Sequence, residues 1–397
     1  MNNTCPNCGA PNMEFFYKVD NVPVHSVLLM STKEEAITYT RGNIHLYLCK
    51  NCGFISNMAF ESAKQEYSSR YEETQGFSPT FNKFHKALAE RLIEKHDLRK
   101  KEIIEIGCGK GDFITMLCEF GDNTGYGFDP AYIEERNTSN SKEKIKFITD
   151  LYSEKYTDYH GDFVCCKMTL EHIHNTYEFV KTVRKSIGDR FDTMVFFQIP
   201  NGKWVFEGLG FWDIYYEHCS YFSTGSLNTL FSKCGFDVLE VTSEYDDQYL
   251  AIEAKPSKNK IGKNIDELDD SDEIIKLVKE FTSAIKTRLE NWEVQLNKWD
   301  AEKKKVVLWG GGSKGVAFLT TLNITDQIKY AVDINPFKHG TFLAGTGQEI
   351  VSPEFLKEYQ PDVVIIMNPI YTKEISKDLS SMGLDPLILS IEESFKK

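Results

Sequence analysis

The spacing of apolar residues divides the chain into three stretches. Over residues 1 to about 60, short apolar runs such as Ile44-Leu46-Leu48 alternate with polar positions and no helical period is sustained, which predicts a small, loop-rich unit. From about Thr80 to Asp97 the spacing of Phe81, Phe84, Leu88, Leu92 and Ile93 predicts an amphipathic helix. Strand-like and helix-like periods then alternate to about Lys255, the signature of a mostly parallel sheet with helices on both faces.

Pro256 to Asp272 is polar and reads as a linker. From Ile274, apolar positions at Leu277, Val278, Phe281, Ile285, Leu289, Trp292, Leu296 and Trp299 predict one long helix, with Asp272 and Glu273 at the positive end of its dipole. A second strand–helix region runs from Val306-Val307-Leu308-Trp309 through Val363-Val364-Ile365-Ile366. The expected organisation is therefore α/β: a small unit over 1–65, a parallel-sheet core over 66–258, and a helix plus a second Rossmann-like domain over 259–397.

Composition narrows what such a molecule does. With 397 residues, 41% hydrophobic and 26% charged, the chain can bury more than one core. A formal charge of −13 argues against a broad nucleic-acid surface, which needs clustered Lys and Arg, and favours a small-molecule substrate. No apolar run is long enough to span a membrane, and Met1-Asn2-Asn3-Thr4 lacks the basic and apolar regions of a leader, so a cytoplasmic protein, monomeric or homodimeric, is expected.

Ten cysteines are present, and four of them form two like pairs, Cys5-Pro6-Asn7-Cys8-Gly9 and Cys49-Lys50-Asn51-Cys52-Gly53. In a reducing compartment, four thiolates in two such knuckles are the complement of a closed, tetrahedral, structural zinc site. The glycine after each second cysteine permits a tight turn that aims N–H groups at the sulfurs.

Lys101-Glu102-Ile103-Ile104-Glu105-Ile106 reads as a strand feeding the glycine turn Gly107-Cys108-Gly109-Lys110-Gly111 and then a helix. A second strand, Gly125-Tyr126-Gly127-Phe128, ends in Asp129, placed to accept ribose hydroxyls. Glu105-Ile106-Gly107-Cys108-Gly109-Lys110-Gly111 resembles the first motif of class I S-adenosylmethionine methyltransferases. That resemblance implies that Glu105, Gly107, Cys108, Gly109 and Gly111 surround the cofactor's amino-acid part, that Phe128, Asp129 and Pro130 flank its ribose, that Asp150 and Leu151 flank its adenine, and that Met168 and Thr169 lie beside the sulfonium.

The later segment Asp213-Ile214-Tyr215-Tyr216-Glu217-His218, followed by Tyr221-Phe222-Ser223, concentrates groups that move protons. Together with the knuckles and the C-terminal domain it resembles the C-methyltransferases that act on nucleotide-linked 4-keto-deoxyhexoses, over nearly the whole chain. The resemblance implies His218 as base, with Glu217, Tyr215 and Tyr216 beside it, and substrate contacts from Tyr71, Gln198, Asn201 and Tyr221. Tyr216 stands where that family has a histidine, and Tyr71-Glu72-Glu73-Thr74-Gln75-Gly76-Phe77-Ser78-Pro79 departs from its serine-rich tyrosine segment.

His172 and His174 read equally as helix-start residues packed near the site. Gly310-Gly311-Gly312-Ser313-Lys314-Gly315, with Asp333 downstream, fits the dinucleotide pattern. One methyl transfer needs no hydride, so Gly312, Ser313 and Lys314 are expected on a substrate phosphate, a turn without ligand being the other reading. The expected function is C-methylation of a nucleotide-linked keto-deoxysugar. The alternatives are O- or N-methylation of a related small acceptor, or a non-catalytic zinc-containing scaffold.

Overall fold

The computed structural model describes residues 3–139 and 141–393; Met1 and Asn2, part of the stretch read as lacking a leader, lie outside them. The chain opens with β1 (Glu14–Pro23), α1 (Lys33–Thr38), β2 (Arg41–Leu48) and β3 (Ile55–Asn57). β2 alternates as expected, burying Ile44, Leu46 and Leu48 on one face, and pairs antiparallel with both β1 and β3.

α2 (Pro79–His96) starts where Ser78 accepts the Phe81 N–H and proline fills the first turn, and it stops at Asp97 in the left-handed region. The core continues through β4 (Glu102–Ile106), α3 (Asp112–Gly121), β5 (Thr124–Phe128), β6 (Ile145–Ile148), β7 (Phe163–Lys167), α4 (Thr176–Ile187), β8 (Met194–Pro200), α5 (Gly202–Glu207), β9 (Ser220–Tyr221), α6 (Thr224–Lys233), β10 (Phe236–Glu244) and β11 (Tyr249–Pro256).

Seven of these strands form one sheet in the order β10-β11-β8-β7-β4-β5-β6. The run from β8 to β6 is parallel, and the β10–β11 hairpin adds an antiparallel edge. β7 is buried at every position and β8 at all but its last, as helices on both faces demand. Strand order reverses between β4 and β7, so the loops that follow these two strands diverge and open a crevice at their carboxyl ends.

β9 does not join this sheet. It pairs with β3, Ser220 opposite Ser56 and Tyr221 opposite Ile55, and so completes the N-terminal sheet.

α7 (Ser271–Ala301) is the expected long helix, 31 residues and about 46 Å from end to end. Its buried seam includes Ile274, Val278, Phe281, Ile285, Trp292, Leu296 and Trp299, at spacings of three, four and seven. At one end Phe281 packs edge-on to Phe16 and Tyr17, and further along Trp292 packs on Phe318. Arg288 lies in the same seam and donates to the carbonyls of Ile391 and Glu393, tying down the segment that follows β16.

β12 (Val306–Trp309), α8 (Ser313–Thr321), β13 (Ile328–Val332), β14 (Glu349–Val351), α9 (Leu356–Tyr359), β15 (Val363–Ile366), α10 (Thr372–Ser381) and β16 (Leu387–Ser390) follow. They build a wholly parallel five-stranded sheet ordered β14-β13-β12-β15-β16. The core ignores the boundaries expected near residues 65 and 258: one apolar cluster joins Ile44 and Leu46 to Phe211, Trp292 and Ile365. No helix among the described residues is long and apolar enough to cross a membrane.

Candidate functional site

The knuckles bring Cys5, Cys8, Cys49 and Cys52 together, all buried, with their sulfurs within 4.8 Å of one another. Cys5 Sγ lies 3.9 Å from Cys52 Sγ, and Cys8 Sγ 3.6 Å from Cys49 Sγ. The glycines close the tight turns expected of them. With φ of +77° and +71°, Gly9 and Gly53 close their turns by donating to the carbonyls of Cys5 and Cys49, while a sulfur receives the N–H of Cys8. Asn7 reaches across to the Ser226 carbonyl at 2.9 Å, so the cluster is anchored on the core.

A cavity of about 840 Å³ occupies the crevice beyond β4 and β7 and extends to the carboxyl end of β12. On one wall the turn after β4 carries Gly107, Gly109 and Gly111, all at positive φ. Gly107 is forced by space as well as angle, because a Cβ there would sit 1.9 Å from Thr169 Oγ1. Asp129, ending β5, accepts the N–H groups of Gly109 (2.9 Å) and Ala131 (2.7 Å), and burial raises its carboxyl above the usual range.

Glu105 accepts the Ile114 N–H at 2.9 Å, and burial pushes its carboxyl up to about 8 against the pull of Lys167. Cys108, Phe128, Pro130, Asp150, Leu151, Met168 and Thr169 also line this wall, with Leu151 59% exposed at the rim. Gly111 is the exception, capping α3 behind the lining and against Phe147.

On the opposite wall His218 Nε2 lies 2.6 Å from Tyr215 Oη. Burial, helped by His172 and Lys314, holds the imidazole well below its usual range, and burial keeps the phenol protonated. Tyr215 therefore donates and Nε2 accepts. Glu171 lies 4.0 Å from the same nitrogen, its carboxyl pushed by burial up to about 8, and the His172 ring packs edge-on at 5.1 Å. Tyr71 lines the cavity nearby.

Five residues expected at the reaction face elsewhere. Tyr216 is buried against Gly42 and Phe60, and its phenol oxygen accepts the Glu61 N–H at 2.9 Å, which holds its ring in the N-terminal unit. Glu217 points away with it, pairing with His25 Nδ1 (3.0 Å) and accepting the Ser26 N–H (2.9 Å). Gln198 is sealed under the floor, accepting from Lys167 (2.7 Å) and donating to Glu244 (2.5 Å). Asn201 caps α5 and holds the Asp247 carbonyl. Tyr221 sits in β9 against Phe206, its ring 6.4 Å from that of His218.

The third wall comes from the C-terminal sheet. Gly312, Ser313 and Lys314 line the cavity at the start of α8. Gly311 donates to Asp333 at 3.1 Å, repeating the Gly109–Asp129 arrangement of the first sheet. Lys314 pairs with Asp213, Ser313 accepts from Ser26 at 2.8 Å, and Lys338 Nζ lies 3.1 Å from Asp333. Sequence reasoning missed Glu73, Glu171 and Lys167, whose place in the lining depends on the fold and carries no local signal.

Residues 80–241 match the family described as a methyltransferase domain, and residues 251–384 match the C-methyltransferase C-terminal domain. These matches show an S-adenosylmethionine-dependent methyltransferase. The methyltransferase is 26% identical over 300 residues to C-methyltransferase NovU of Streptomyces niveus, covering 68% of this chain and 69% of that one. It is 33% identical over 109 residues to the ubiquinone biosynthesis O-methyltransferase of Rickettsia conorii, covering 26% of this chain and 37% of that protein.

Among solved structures it matches the magnesium protoporphyrin IX methyltransferase of Synechocystis at 15% identity and a TM-score of 0.34, over 45% of this chain and 84% of the other. It matches a Burkholderia thailandensis N1-methyltransferase at 12% identity and a TM-score of 0.35, over 45% and 82%.

Proposed function

We propose that this methyltransferase methylates a carbon next to a ketone in a nucleotide-linked sugar, with His218 as the base. The observation that carries this reading is the Tyr215–His218 pair, 2.6 Å apart and facing the cavity that the glycine turn and Asp129 also line. A neutral imidazole is the form a base needs, and burial keeps His218 in it.

When a ketone enters, the Tyr215 O–H turns from Nε2 to the ketone oxygen. That motion frees the imidazole lone pair to take the carbon-bound proton while the phenol stabilises the enolate oxygen. Bound S-adenosylmethionine supplies an electrophilic methyl, for which the carbon nucleophile is the acceptor. Glu217 acts at one remove, fixing His25 and Ser26 behind the reacting pair.

The C-terminal wall suits the diphosphate of such a substrate. Backbone donors at the start of α8 and the cations Lys314 and Lys338 stand together there. The similarity to C-methyltransferase NovU supports carbon as the methylated atom.

The four-cysteine cluster suits structural zinc. A tetrahedral site with metal–sulfur bonds of about 2.3 Å has sulfur–sulfur edges of about 3.8 Å. The two pairs at 3.9 and 3.6 Å bracket that length.

The test is transfer of labelled methyl from S-adenosylmethionine to a panel of nucleotide-linked 4-keto sugars, with solvent deuterium exchange at the adjacent carbon followed by NMR. His218→Asn is expected to lower both exchange and transfer by about 10²- to 10⁴-fold. Label found on oxygen or nitrogen, or exchange that persists in the variant, would sink the reading.

A further inference from the structure

We infer that Glu73 is the anionic partner of the cofactor's α-ammonium group, held over the glycine turn by the strap that runs from Tyr71 to Ser78. This rests on the assignment of that turn to S-adenosylmethionine.

The strap crosses the cavity between the N-terminal unit and α2, and Glu72, Gln75 and Ser78 along it are committed to other partners. Glu72 takes both terminal nitrogens of Arg136 (2.8 and 3.2 Å) and the side-chain amide of Asn335 (2.8 Å). Gln75 accepts from Tyr371 at 2.6 Å, and Ser78 donates to Glu374 at 2.9 Å. These contacts pin the strap to the methyltransferase core on one side and to the C-terminal domain on the other.

Glu73 has no such commitment. Its Oε1 lies against Gly109, 2.5 Å from where a Cβ on that residue would stand, and its Oε2 is buried without a hydrogen-bond partner. The cation near it, Lys110, is 3.6 Å away and already donates to the carbonyls of Tyr71 (2.7 Å) and Ala131 (2.8 Å). Four carboxylates, those of Glu73, Glu105, Asp112 and Asp129, line the cavity around the turn. Among the described residues, only Glu73 of the four has a fully buried oxygen without a hydrogen-bond partner, Oε2, whose nearest cation is Lys110 at 3.6 Å.

A buried acceptor of this kind is costly unless a donor arrives. The ligand proper to the turn brings an ammonium at its amino-acid end, and a glycine at position 109 leaves the room for carboxylate and ammonium to meet beside the backbone. The charge state agrees. Burial, with Asp129 adding to it, pushes the Glu73 carboxyl up to about 7, whereas an ammonium within hydrogen-bonding distance favours the ionised form. Binding therefore expels a proton below about pH 7, and affinity rises as pH increases to that point.

The experiment is calorimetry on the full chain with two ligands: S-adenosylhomocysteine, and 5′-S-(3-carboxypropyl)-5′-thioadenosine, the same molecule without its amino group. A hydrogen bond to a charged group is worth about 1.5–3 kcal/mol, so the wild type is expected to prefer S-adenosylhomocysteine by at least about 10-fold. Glu73→Gln should cut that preference to within about 3-fold by weakening the amino ligand alone, and should abolish the proton release seen between buffers of different ionisation enthalpy. Undiminished binding of the amino-free ligand shows that the variant folds.

Glu72→Gln, one position away but committed to Arg136 and Asn335, should keep the wild-type preference. An undiminished preference in Glu73→Gln, equal loss of both ligands, or erasure of the preference by Glu72→Gln would each overturn the inference. If the wild type bound neither compound, the assignment of the turn itself would fall, and Glu73 with it.

Discussion

Gly107→Ala tests whether the turn after β4 is as tight as its geometry indicates. The residue sits at φ +71°, where a side chain costs about 1–2 kcal/mol. The added methyl would stand 1.9 Å from Thr169 Oγ1 and 2.9 Å from both Thr169 Cβ and Cγ2, all too close to coexist without movement. Overpacking of this kind costs about 1–3 kcal/mol, so the sum is about 2–5 kcal/mol. At roughly 2–4 °C per kcal/mol for a unit of this size, the melting transition should fall by at least about 4 °C.

Thr169→Ala separates the two contributions. It removes Oγ1 and Cγ2 but leaves the Cβ and the backbone angle, so the double variant should recover most of the packing share. A double-mutant cycle should then show a coupling of about 1–3 kcal/mol. Urea denaturation followed by circular dichroism gives the stabilities, and calorimetry with S-adenosylhomocysteine gives the accompanying loss of affinity. A single variant that melts within about 1 °C of wild type, or a coupling of zero, would refute the reasoning.

Three further outcomes are expected. Purified wild type should hold one equivalent of zinc, and Cys49→Ser should lose it and melt lower; a metal-free wild type of unchanged stability after chelation would end that assignment. Lys314→Ala should weaken a nucleoside diphosphate while leaving S-adenosylhomocysteine binding intact, and equal loss of the two would place Lys314 in a structural role. Burial raises the Glu171 carboxyl to about 8, so the folded chain keeps a proton that the unfolded chain releases above about 4.5. The resulting stability is complete below that lower value and is lost as pH rises through 8. Glu171→Gln carries no such proton, so denaturation from pH 5 to 8 should show its stability gaining on wild type by about 1.4 kcal/mol per unit, and a constant gap would contradict the assignment.

The parts legible in the sequence were those with local causes. Glycines at 107 and 310 stand where the backbone takes positive φ after a strand, the Cys knuckles are five-residue signals, and the seam of α7 repeats often enough to be read. Side-chain direction in irregular chain has no such code. Tyr215 and His218 face the cavity while Tyr216 and Glu217 between them face away, a split that no hydrophobic period announces. Gln198 near the end of a strand and Asn201 just after it stand where ligand residues do, yet the structure uses them to satisfy buried polar groups. Glu73 and Glu171 owe their raised carboxyls to segments brought over them by folding, which composition does not reveal.

The pairing of β9 with β3 joins two chemistries that the sequence keeps far apart. Ser220, two positions after His218, is hydrogen-bonded in register with Ser56, four positions after Cys52, and the Asn57 N–H and Ser56 hydroxyl both hold the Cys219 carbonyl. The four-cysteine cluster and the imidazole are therefore tied through one short ladder, so a shift in the strand that follows Cys52 is carried directly to the segment that follows His218.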